Sequence, residues 1–309
     1  MTAIEAVSDY VPAHRVPVGV CLRRYDIDES RVRLYEHFFG FSEVRIDSSA
    51  TLTDLLVAAM SRLELAAVGP HVRYVMHARS MPVVAPYPVN PLRQACDAVG
   101  LGHALTFSLT HHACASALLA IDLAGKLLAA EDDPRARALV LTGDKAFTAS
   151  ARVIADTGVM GEASAAVLVR LGGGHDRVLG YATHTLGRYY EGPWMSAERS
   201  TEFKEQYAEA LASVILAATE CAGMAMDDIR LILPHNVNRM SWLRVLRLLG
   251  IGSDRLFLDN LPKFGHCFGS DSFINLRSAR TQGRLNRGDR YLMTAVGLGA
   301  TFSAMVFEH

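Results

Sequence analysis

Short apolar segments that are typical of β-strands alternate with helical segments along most of this chain. Strands are predicted at residues 105–109, 138–141, 165–171, 229–233, 291–296 and 301–307, and helices at residues 113–130, 201–221 and 240–249. In the helix predicted at 201–221, apolar side chains recur every three or four residues and form one stripe, made by Phe203, Tyr207, Leu211, Val214, Ala218 and Cys221. Gly223 follows as a suitable helix stop. The alternation predicts an α/β fold built in layers.

The alternation is interrupted at residues 172–177, a glycine-rich turn. The segments on either side of this turn have comparable strand and helix content, which predicts two similar halves, residues 1–172 and residues 173–309. With 309 residues, 50% of them hydrophobic, the chain has enough apolar mass for one large domain or for two closely packed ones.

Composition argues against several classes of protein. The formal net charge of −1 gives no reason to expect nucleic acid or an anionic membrane as a partner. No run of about 18 apolar residues predicts a transmembrane helix, and residues 1–12 lack the pattern of a secretory signal. The five cysteines are scattered and fit neither a disulfide framework nor a zinc site, so we expect no metal and a reduced, cytoplasmic protein.

Cys114 is the first candidate for chemistry. It follows a predicted strand and lies at the start of a predicted helix. Backbone N–H groups and the positive end of the helix dipole favour a thiolate at such a position. Its neighbours Ala113 and Ala115 are small, which allows a substrate to approach the sulfur. The alternative is an unreactive core cysteine, which is the commoner fate of a lone cysteine.

Three further segments place histidines or glycines beside predicted strand ends and turns. A predicted strand ends next to His235, and ligands often collect at that edge of a sheet. His266 lies between two glycines, and residues 297–299 form a tight glycine turn that can aim a backbone N–H at a developing oxyanion. Each segment also has a purely structural interpretation: a turn capped by asparagine, a strand-to-helix turn capped by Ser270 or Asp271, and a hairpin turn.

The order of these elements resembles the ketoacyl-ACP synthase III family of the thiolase superfamily. That family has a cysteine at a strand-to-helix elbow, then a Gly-acidic turn, a strand-end histidine and two glycine turns. The Gly-acidic element is Gly161-Glu162 here, and residues 234–238 (Pro-His-Asn-Val-Asn) resemble the family's His-Gln-Ala-Asn motif. The resemblance runs over nearly the whole chain and is clearest from Leu105 onward.

The resemblance implies a five-layered α/β/α/β/α thiolase fold with two duplicated halves, and usually a homodimer. It also implies ping-pong chemistry, in which Cys114 takes an acyl group from a thioester and a second substrate attacks the acyl-enzyme. No cofactor is implied beyond the acyl thioester itself, on coenzyme A or on an acyl carrier protein. The loop at residues 81–91 falls where the family builds its dimer contact and part of its acyl pocket.

The same match assigns roles within the site. It implies Cys114 and His235 as catalytic residues, and we add His266 and Asp271, which lie where the family's Gly-Asn-Thr-Ser turn falls. The oxyanion hole is implied at the backbone N–H groups of Cys114, Leu298 and Gly299, and the implied substrate contacts are Met160, Asn238 and Phe268.

His266 departs from the family pattern, which has Asn in a Gly-Asn-Thr-Ser turn. Asn only donates or accepts hydrogen bonds, whereas His also removes a proton near neutral pH. Asp271 is near enough in sequence to orient His266, as in a catalytic triad. Such a pair suits a hydroxyl or amine acceptor, so we favour acyl transfer to oxygen or nitrogen. Condensation with a malonyl unit needs instead two neutral donors for the enolate oxygen, which His235 and His266 are still able to supply.

The chain also departs from the family where coenzyme A is bound. Priming members hold the adenine between a Trp and an Arg, but Trp194 and Trp242 both lie outside the N-terminal region where that clamp begins. Arg152 lies near the expected Arg, one position away. We therefore favour an acyl carrier protein as donor and a small molecule as acceptor, in specialised-metabolite biosynthesis of the polyketide type.

Three other functions stay open. A decarboxylative ketoacyl-ACP synthase III would use the same cysteine to form a carbon–carbon bond. A non-catalytic partner subunit would shape the tunnel of a dimer mate, although the presence of Cys114, His235 and His266 together argues against it. A cysteine hydrolase would use water as the acceptor.

Overall fold

The computed structural model describes the whole chain, Met1–His309, with thirteen β-strands and eleven α-helices. In chain order the strands are β1 (Thr2–Tyr10), β2 (Arg15–Pro17), β3 (Glu43–Arg45), β4 (Val72–Ala78), β5 (Leu105–Leu109), β6 (Arg137–Gly143), β7 (Val153–Ile154), β8 (Gly158–Val159), β9 (Ser164–Leu171), β10 (Arg177–Thr185), β11 (Ile229–Leu233), β12 (Arg290–Gly297) and β13 (Thr301–Glu308). The helices are α1 (Val18–Arg23), α2 (Glu29–Arg33), α3 (Leu52–Met60), α4 (Leu65–Val68), α5 (Pro91–Ala98), α6 (Ser116–Ala129), α7 (Ala149–Arg152), α8 (Ala197–Cys221), α9 (Arg239–Leu249), α10 (Leu261–Phe264) and α11 (Asp271–Thr281).

Nine strands form one mixed sheet in the order β11-β12-β13-β10-β1-β9-β6-β4-β5. At one edge of the sheet, β5 pairs in parallel with β4. At the other edge, Leu256 forms a single parallel bridge with Ile232 of β11 and takes the position equivalent to that of β5. Counted along the chain, both halves therefore have the strand order 3-2-4-5-1. In each half the last strand, β9 or β13, is antiparallel to both neighbours. The halves meet at β1 and β10, through the pair Ala3 and Arg177.

Helices form three layers around the two halves of the sheet. α6 and α11 lie between the halves, where Leu118, Ile121 and Phe273 share one buried cluster with side chains of β4, β6, β12 and β13. α3 and α5 pack on the outer face of the first half. α8 and α9 pack on the outer face of the second half, where Trp242 is fully buried. This is the predicted five-layered α/β/α/β/α fold, and the apolar residues of the central strands are explained by burial on both faces.

The structure confirms the six predicted strands, each within two residues at its ends. The helix predicted at 113–130 is wrong at its start, because a 3-10 turn at Ala113–Ala115 precedes α6. α8 begins four residues before the prediction, since the hydroxyl of Ser196 accepts a hydrogen bond from the N–H of Arg199 and caps the helix there. Gly223 follows α8 with φ 67°, a left-handed conformation that ends the helix as predicted.

The predicted boundary at residues 172–173 lies in the turn that connects β9 with β10. The division of the chain into two domains at this point stays a prediction. None of the helices combines the length and the apolar character needed to cross a membrane.

Candidate active site

Two sharp turns into helices face each other at the centre of the molecule. The first turn leads from β5 into α6 and carries Cys114, and the second leads into α11 and carries His266. Each turn contains a non-glycine residue in the left-handed region, Ala113 with φ 45° and Phe268 with φ 53°. Such conformations persist where the surrounding structure enforces them, and they cluster at functional sites. A Cβ on Gly269 would lie 3.3 Å from the carbonyl oxygen of Cys114, so the two turns are in direct contact.

Cys114 lies almost entirely out of solvent, with 8% of its surface exposed. The hydroxyl of Ser80 donates a hydrogen bond to its sulfur at 3.1 Å. The buried carboxyl group of Asp144 in turn accepts a hydrogen bond from the backbone N–H of Ser80 at 2.9 Å. Burial raises the pKa of Asp144 to about 6, against the lowering effect of its hydrogen bonds to Ser80 and Met81. The sulfur is therefore held by a hydroxyl donor that a buried acid positions.

His266 and Asp271 form a buried pair beside this sulfur. Nδ1 of His266 hydrogen bonds to Oδ2 of Asp271, and the same carboxylate accepts hydrogen bonds from the backbone N–H of Cys267 at 2.7 Å and of Asn236 at 2.6 Å. Burial lowers the pKa of His266, but the charge and hydrogen bond of Asp271, together with the Cys114 thiol, raise it to about 10. Asp271 at Nδ1 of His266, and Cys114 near enough to interact with the same imidazole, make up the side-chain set of a Cys-His-Asp triad.

His235 is in a different electrostatic state from His266. Its Nε2 hydrogen bonds with the hydroxyl of Tyr207 at 2.5 Å, and its Nδ1 lies 3.3 Å from Oγ1 of Thr294. Burial and the charge of His266 hold the pKa of His235 well below its usual range. The indole N–H of Trp242 donates to the carbonyl oxygen of His235 at 3.0 Å and fixes the backbone. The centroids of the two histidine rings lie 6.3 Å apart, and their pKa values are shifted in opposite directions.

The glycine turn between β12 and β13 lies against the Cys114 turn. A Cβ on Gly297 would lie 1.9 Å from the carbonyl oxygen of His112, which shows how closely the backbones approach. The backbone N–H groups of Leu298 and Gly299 have no acceptor within the protein. They are available to a negatively charged oxygen beside Cys114, as an oxyanion hole requires.

Two of the three predicted substrate contacts lie next to the sulfur. Met160 and Phe268 form a small buried cluster with Cys114, and Met81 and Ile154 pack against it. This cluster is an apolar surface on which an acyl chain can lie.

Asn238 does not lie in that cluster. Its side-chain oxygen accepts a hydrogen bond from the N–H of Ser241 and caps α9, and its Nδ2 donates to the carbonyl oxygen of Thr157 at 2.9 Å. The structural interpretation of this segment, a turn capped by asparagine, therefore describes its side chain. Asn238 also lines a cavity, together with Tyr207 and Phe39.

The Gly161-Glu162 turn is held by a buried ion network. The carboxylate of Glu162 pairs with Arg152 at 2.7 Å and with Lys145 at 3.0 Å, and all three side chains are largely buried. Arg152 also donates to the carbonyl oxygen of Met160. The backbone N–H of Gly161 then donates to the carbonyl oxygen of His266 at 3.0 Å, so the network supports the turn that carries His266.

Trp242 and Arg152 are not free to hold an adenine ring. Trp242 is fully buried in the core, and Trp194 is 77% exposed on a surface turn. Arg152 is 4% exposed and its guanidinium is occupied by Glu162.

Two neighbouring cavities lead toward the site. One, of about 200 Å³, is lined by Tyr207, Phe39 and Asn238, and a second, of about 230 Å³, is lined by Leu298 and Met195. Thr157, Phe203 and Lys204 belong to the walls of both. One cavity is thus lined by Tyr207, the hydrogen-bond partner of His235, and the other by Leu298 of the glycine turn between β12 and β13. The structure contains no group of three or more His, Cys, Asp or Glu side chains arranged to hold a metal ion.

Ser80, Asp144, Tyr207 and Thr294 were not identified as site residues from the sequence. Tyr207 was recognised as part of the apolar stripe of α8, but a stripe does not reveal that its hydroxyl reaches a histidine 28 residues away. A buried tyrosine needs a partner for its hydroxyl, and that need was the signal available in the sequence. Ser80 is the second residue after β4 and Asp144 the first after β6, at the strand ends where polar side chains collect.

Comparison with known proteins supports the match of motifs. Residues 219–309 match the family model for the C-terminal domain of 3-oxoacyl-[acyl-carrier-protein] synthase III. A β-ketoacyl-[acyl-carrier-protein] synthase III of Roseiflexus sp. (strain RS-1) is 36% identical over 106 residues, which are 34% of this chain and 32% of that protein. The protein of the same name from Nitratidesulfovibrio vulgaris (strain DP4) is 28% identical over 178 residues, 56% of this chain and 51% of that protein. The chain thus spans between a third and a half of the length of these curated relatives.

The fold is similar to solved structures over its whole length. A protein named ChlB3, described as an acyltransferase, has a TM-score of 0.87 at 19% identity, over 99% of this chain and 97% of its own. The 3-oxoacyl-[acyl-carrier-protein] synthase III of Aquifex aeolicus VF5 has a TM-score of 0.84 at 20% identity, over 100% of both chains. OleA of Xanthomonas campestris, solved with lauric acid and lauroyl-CoA bound, has a TM-score of 0.83 at 16% identity, over 100% of this chain and 99% of its own. At these identities the similarity establishes the fold.

Proposed function

We propose that this chain, a ketoacyl-ACP synthase III-like member of the thiolase superfamily, transfers an acyl group from a thioester to a hydroxyl or amine through an acyl-enzyme on Cys114. The observation that carries this proposal is the buried hydrogen bond from His266 to Asp271, with Cys114 next to the same imidazole. A histidine that an acid orients can take a proton from an oxygen or nitrogen nucleophile, which is the step that such an acceptor requires.

The first half-reaction uses the positive charge on His266. A raised pKa keeps this imidazole protonated at neutral pH, and an adjacent imidazolium favours the nucleophilic thiolate form of a cysteine. The sulfur of Cys114 attacks the donor thioester carbonyl, and the bond to the donor sulfur breaks. The departing thiolate takes the proton from His266, so the acyl-enzyme is left with a neutral imidazole.

The second half-reaction uses that neutral imidazole as a base. Part of the raised pKa of His266 comes from Cys114, and acylation removes the negative charge from that sulfur. The pKa of His266 therefore falls when the acyl-enzyme forms, and the ring becomes able to accept a proton. It takes the proton of the acceptor as the acceptor attacks the acyl carbonyl. The bond to Cys114 then breaks, and the thiolate–imidazolium pair is restored.

Both tetrahedral intermediates carry a negative oxygen that needs donors. The free N–H groups of Leu298 and Gly299, together with the backbone N–H of Cys114, are the proposed oxyanion hole. A donor of this kind contributes about 10²–10³-fold in rate in other enzymes.

An acyl carrier protein is the proposed donor. The buried position of Trp242 and the ion pair of Arg152 with Glu162 support this choice, because neither side chain is available to hold the adenine of coenzyme A. The cavities that reach Tyr207 and Leu298 are the proposed routes for a phosphopantetheine arm and for the acceptor. A pathway of specialised metabolism, of the polyketide type, fits a site adapted to oxygen or nitrogen acceptors.

A homodimer is the proposed assembly. The loop at residues 81–91 exposes apolar side chains, with Val83 78% and Tyr87 98% exposed. Two copies of such a loop would bury apolar surface against each other. Met81, at the start of the same loop, packs against the cluster that contains Cys114.

The proposal is tested by mass spectrometry of the intact protein after incubation with acetyl, malonyl and longer acyl thioesters of pantetheine, coenzyme A and a carrier protein. We expect an acyl mass on Cys114 and its discharge when 2-phenylethanol or 2-phenylethylamine is added. The proposal is wrong if no thioester acylates the protein. It is also wrong if the adduct is discharged only by a malonyl thioester, with loss of carbon dioxide.

A further inference from the structure

The hydroxyl of Tyr207 hydrogen bonds to His235, one of the two histidines of the candidate site. Its oxygen lies 2.5 Å from Nε2 of His235, and both side chains are buried. Burial raises the pKa of Tyr207 far above the usual value for a phenol, and the charge of nearby Cys114 adds to this effect. The phenol therefore stays protonated at all ordinary pH values and lies within the catalytic cluster.

The partners of the two atoms determine which of them donates. Nδ1 of His235 faces the hydroxyl oxygen of Thr294 at 3.3 Å, and a hydroxyl can accept or donate. The buried hydroxyl of Tyr207 has Nε2 of His235 as its one hydrogen-bond partner, so its O–H donates there and the ring hydrogen of His235 is on Nδ1. His235 is neutral, hence its Nε2 has a free lone pair and accepts the proton of the Tyr207 hydroxyl.

Condensation with a malonyl unit would need the reverse arrangement. When a malonyl thioester loses carbon dioxide, the bond to the carboxylate carbon breaks and the electron pair moves to the thioester oxygen as an enolate. Two N–H donors must meet that oxygen. His235 directs its N–H to Thr294 and its lone pair to Tyr207, so it has none to offer. His266 alone supplies one N–H donor, which stabilises the enolate oxygen less than two donors would.

We propose that Tyr207 determines the outcome of the reaction: by donating to Nε2 of His235, it withholds that histidine from a malonyl thioester oxygen and reserves the acyl-enzyme for oxygen and nitrogen acceptors. The inference rests on the acyl transfer proposed above and names the residue that separates it from carbon–carbon condensation. Tyr207 acts through His235 and is a specificity-determining residue.

Removal of the hydroxyl frees His235 to change its tautomer. In Tyr207→Phe the aromatic ring keeps its edge contacts with Phe203 and Phe302, at centroid distances of 5.8 Å and 5.7 Å. The hydroxyl of Thr294 is able to donate to Nδ1, which moves the ring hydrogen to Nε2. That N–H then points to the space that the phenol oxygen leaves and is free to donate to a thioester oxygen.

The test measures release of labelled carbon dioxide from malonyl pantetheine by the wild type and by Tyr207→Phe. Tyr189→Phe is the matched control, because Tyr189 is also buried against Phe203 but gives its hydroxyl to Gln206 at 3.0 Å. We expect Tyr207→Phe to release carbon dioxide about tenfold faster than the wild type or more, since one added oxyanion donor is worth about 10²–10³-fold elsewhere. The control should match the wild type.

Equal rates for Tyr207→Phe and the wild type would overturn the inference. This result is distinct from failure of the proposed acyl transfer, because decarboxylation does not require an adduct on Cys114, whereas acyl transfer does. If Tyr207→Phe does not fold, nitrogen NMR of His235 in the wild type decides the question. A hydrogen on Nδ1 and none on Nε2 supports the inference, and the opposite tautomer refutes it.

Discussion

Asp271 accepts a hydrogen bond from His266 on an oxygen that also receives the backbone N–H of Asn236 at 2.6 Å. The carboxylate is thus surrounded by donors, and it stays in place whether or not His266 carries a second proton. This relationship explains how a histidine can hold a raised pKa in a site with almost no solvent.

Replacement of Asp271 by Asn should disable transfer. The amide N–H₂ group would face a backbone N–H, and the loss of charge would lower the pKa of His266. We expect transfer to 2-phenylethanol to fall by about 10²–10⁴-fold, the usual range for loss of general acid–base catalysis. Rates of discharge of the acyl-enzyme measure this. Asp227→Asn, at an exposed carboxylate far from the site, should transfer at the wild-type rate. An unimpaired Asp271→Asn protein would remove Asp271 from the mechanism.

The acyl mass should disappear in Cys114→Ala. Without the sulfur there is no atom to hold the acyl group, and the other buried cysteines lack the donors found at this one. Intact-protein mass spectrometry with the best donor gives the result. Cys221→Ser is the control, because Cys221 is the exposed cysteine and the one open to unspecific acylation. If the adduct persists in Cys114→Ala and is lost in Cys221→Ser, the acyl group is carried by Cys221, and the role proposed for Cys114 is wrong.

The pair of His266 and Asp271 should make stability depend on pH in the alkaline range. The pKa of His266 is raised from 6.5 to about 10 on folding, so its contribution to stability is fully present below pH 6.5. That contribution is lost as the pH rises through 10. Urea denaturation at several pH values should show wild type and His266→Asn converging toward pH 10. A constant difference in unfolding free energy across this range would mean that the histidine is not charged in the folded protein.

The sequence predicted the layers and placed His235 and His266 in one candidate site because local rules determine both. Short apolar segments mark strands, and apolar side chains that recur every three or four residues mark helices. Polar residues that follow a strand, such as His235, lie at the edge of the sheet formed by the carboxyl ends of its parallel strands. Sequence spacing also favoured the pairing of His266 with Asp271, five residues apart, and the structure has that contact.

Contacts between distant segments could not be predicted in this way. Ser80 reaches Cys114 across 34 residues of sequence, and Tyr207 of α8 reaches His235, in the loop after β11, across 28 residues. Both contacts depend on how the layers of the fold pack against each other, and no local sequence pattern predicts that packing. The substrate contact at Asn238 stays a prediction, and the structure adds that the side chain of this residue caps α9.

Gly297 should tolerate no side chain. A Cβ there would lie 1.9 Å from the carbonyl oxygen of His112, and one of the two backbones must move. We expect Gly297→Ala to lose about 1–3 kcal/mol of stability, as overpacked sites do, and to lose acylation rate because the oxyanion turn shifts. Gly174→Ala is the control, since nothing lies within 4 Å of its Cβ position. Chemical denaturation and single-turnover acylation measure the two effects, and a fully active Gly297→Ala protein would show that the turn plays no part.

Arg152 should prove to be a structural residue with no role in binding coenzyme A. In Arg152→Ala, Glu162 keeps Lys145 as its one remaining cation, and Met160 loses a donor to its carbonyl oxygen. Removing one member of a buried ion pair destabilises a protein by about 3–5 kcal/mol. The Arg23 pair with Glu29 lies on the surface, so Arg23→Ala should change stability little. Acylation should slow to the same degree with pantetheine and coenzyme A thioesters, because the support of the Gly161 turn is common to both. A loss confined to the coenzyme A donor would mean instead that Arg152 leaves Glu162 and binds the nucleotide.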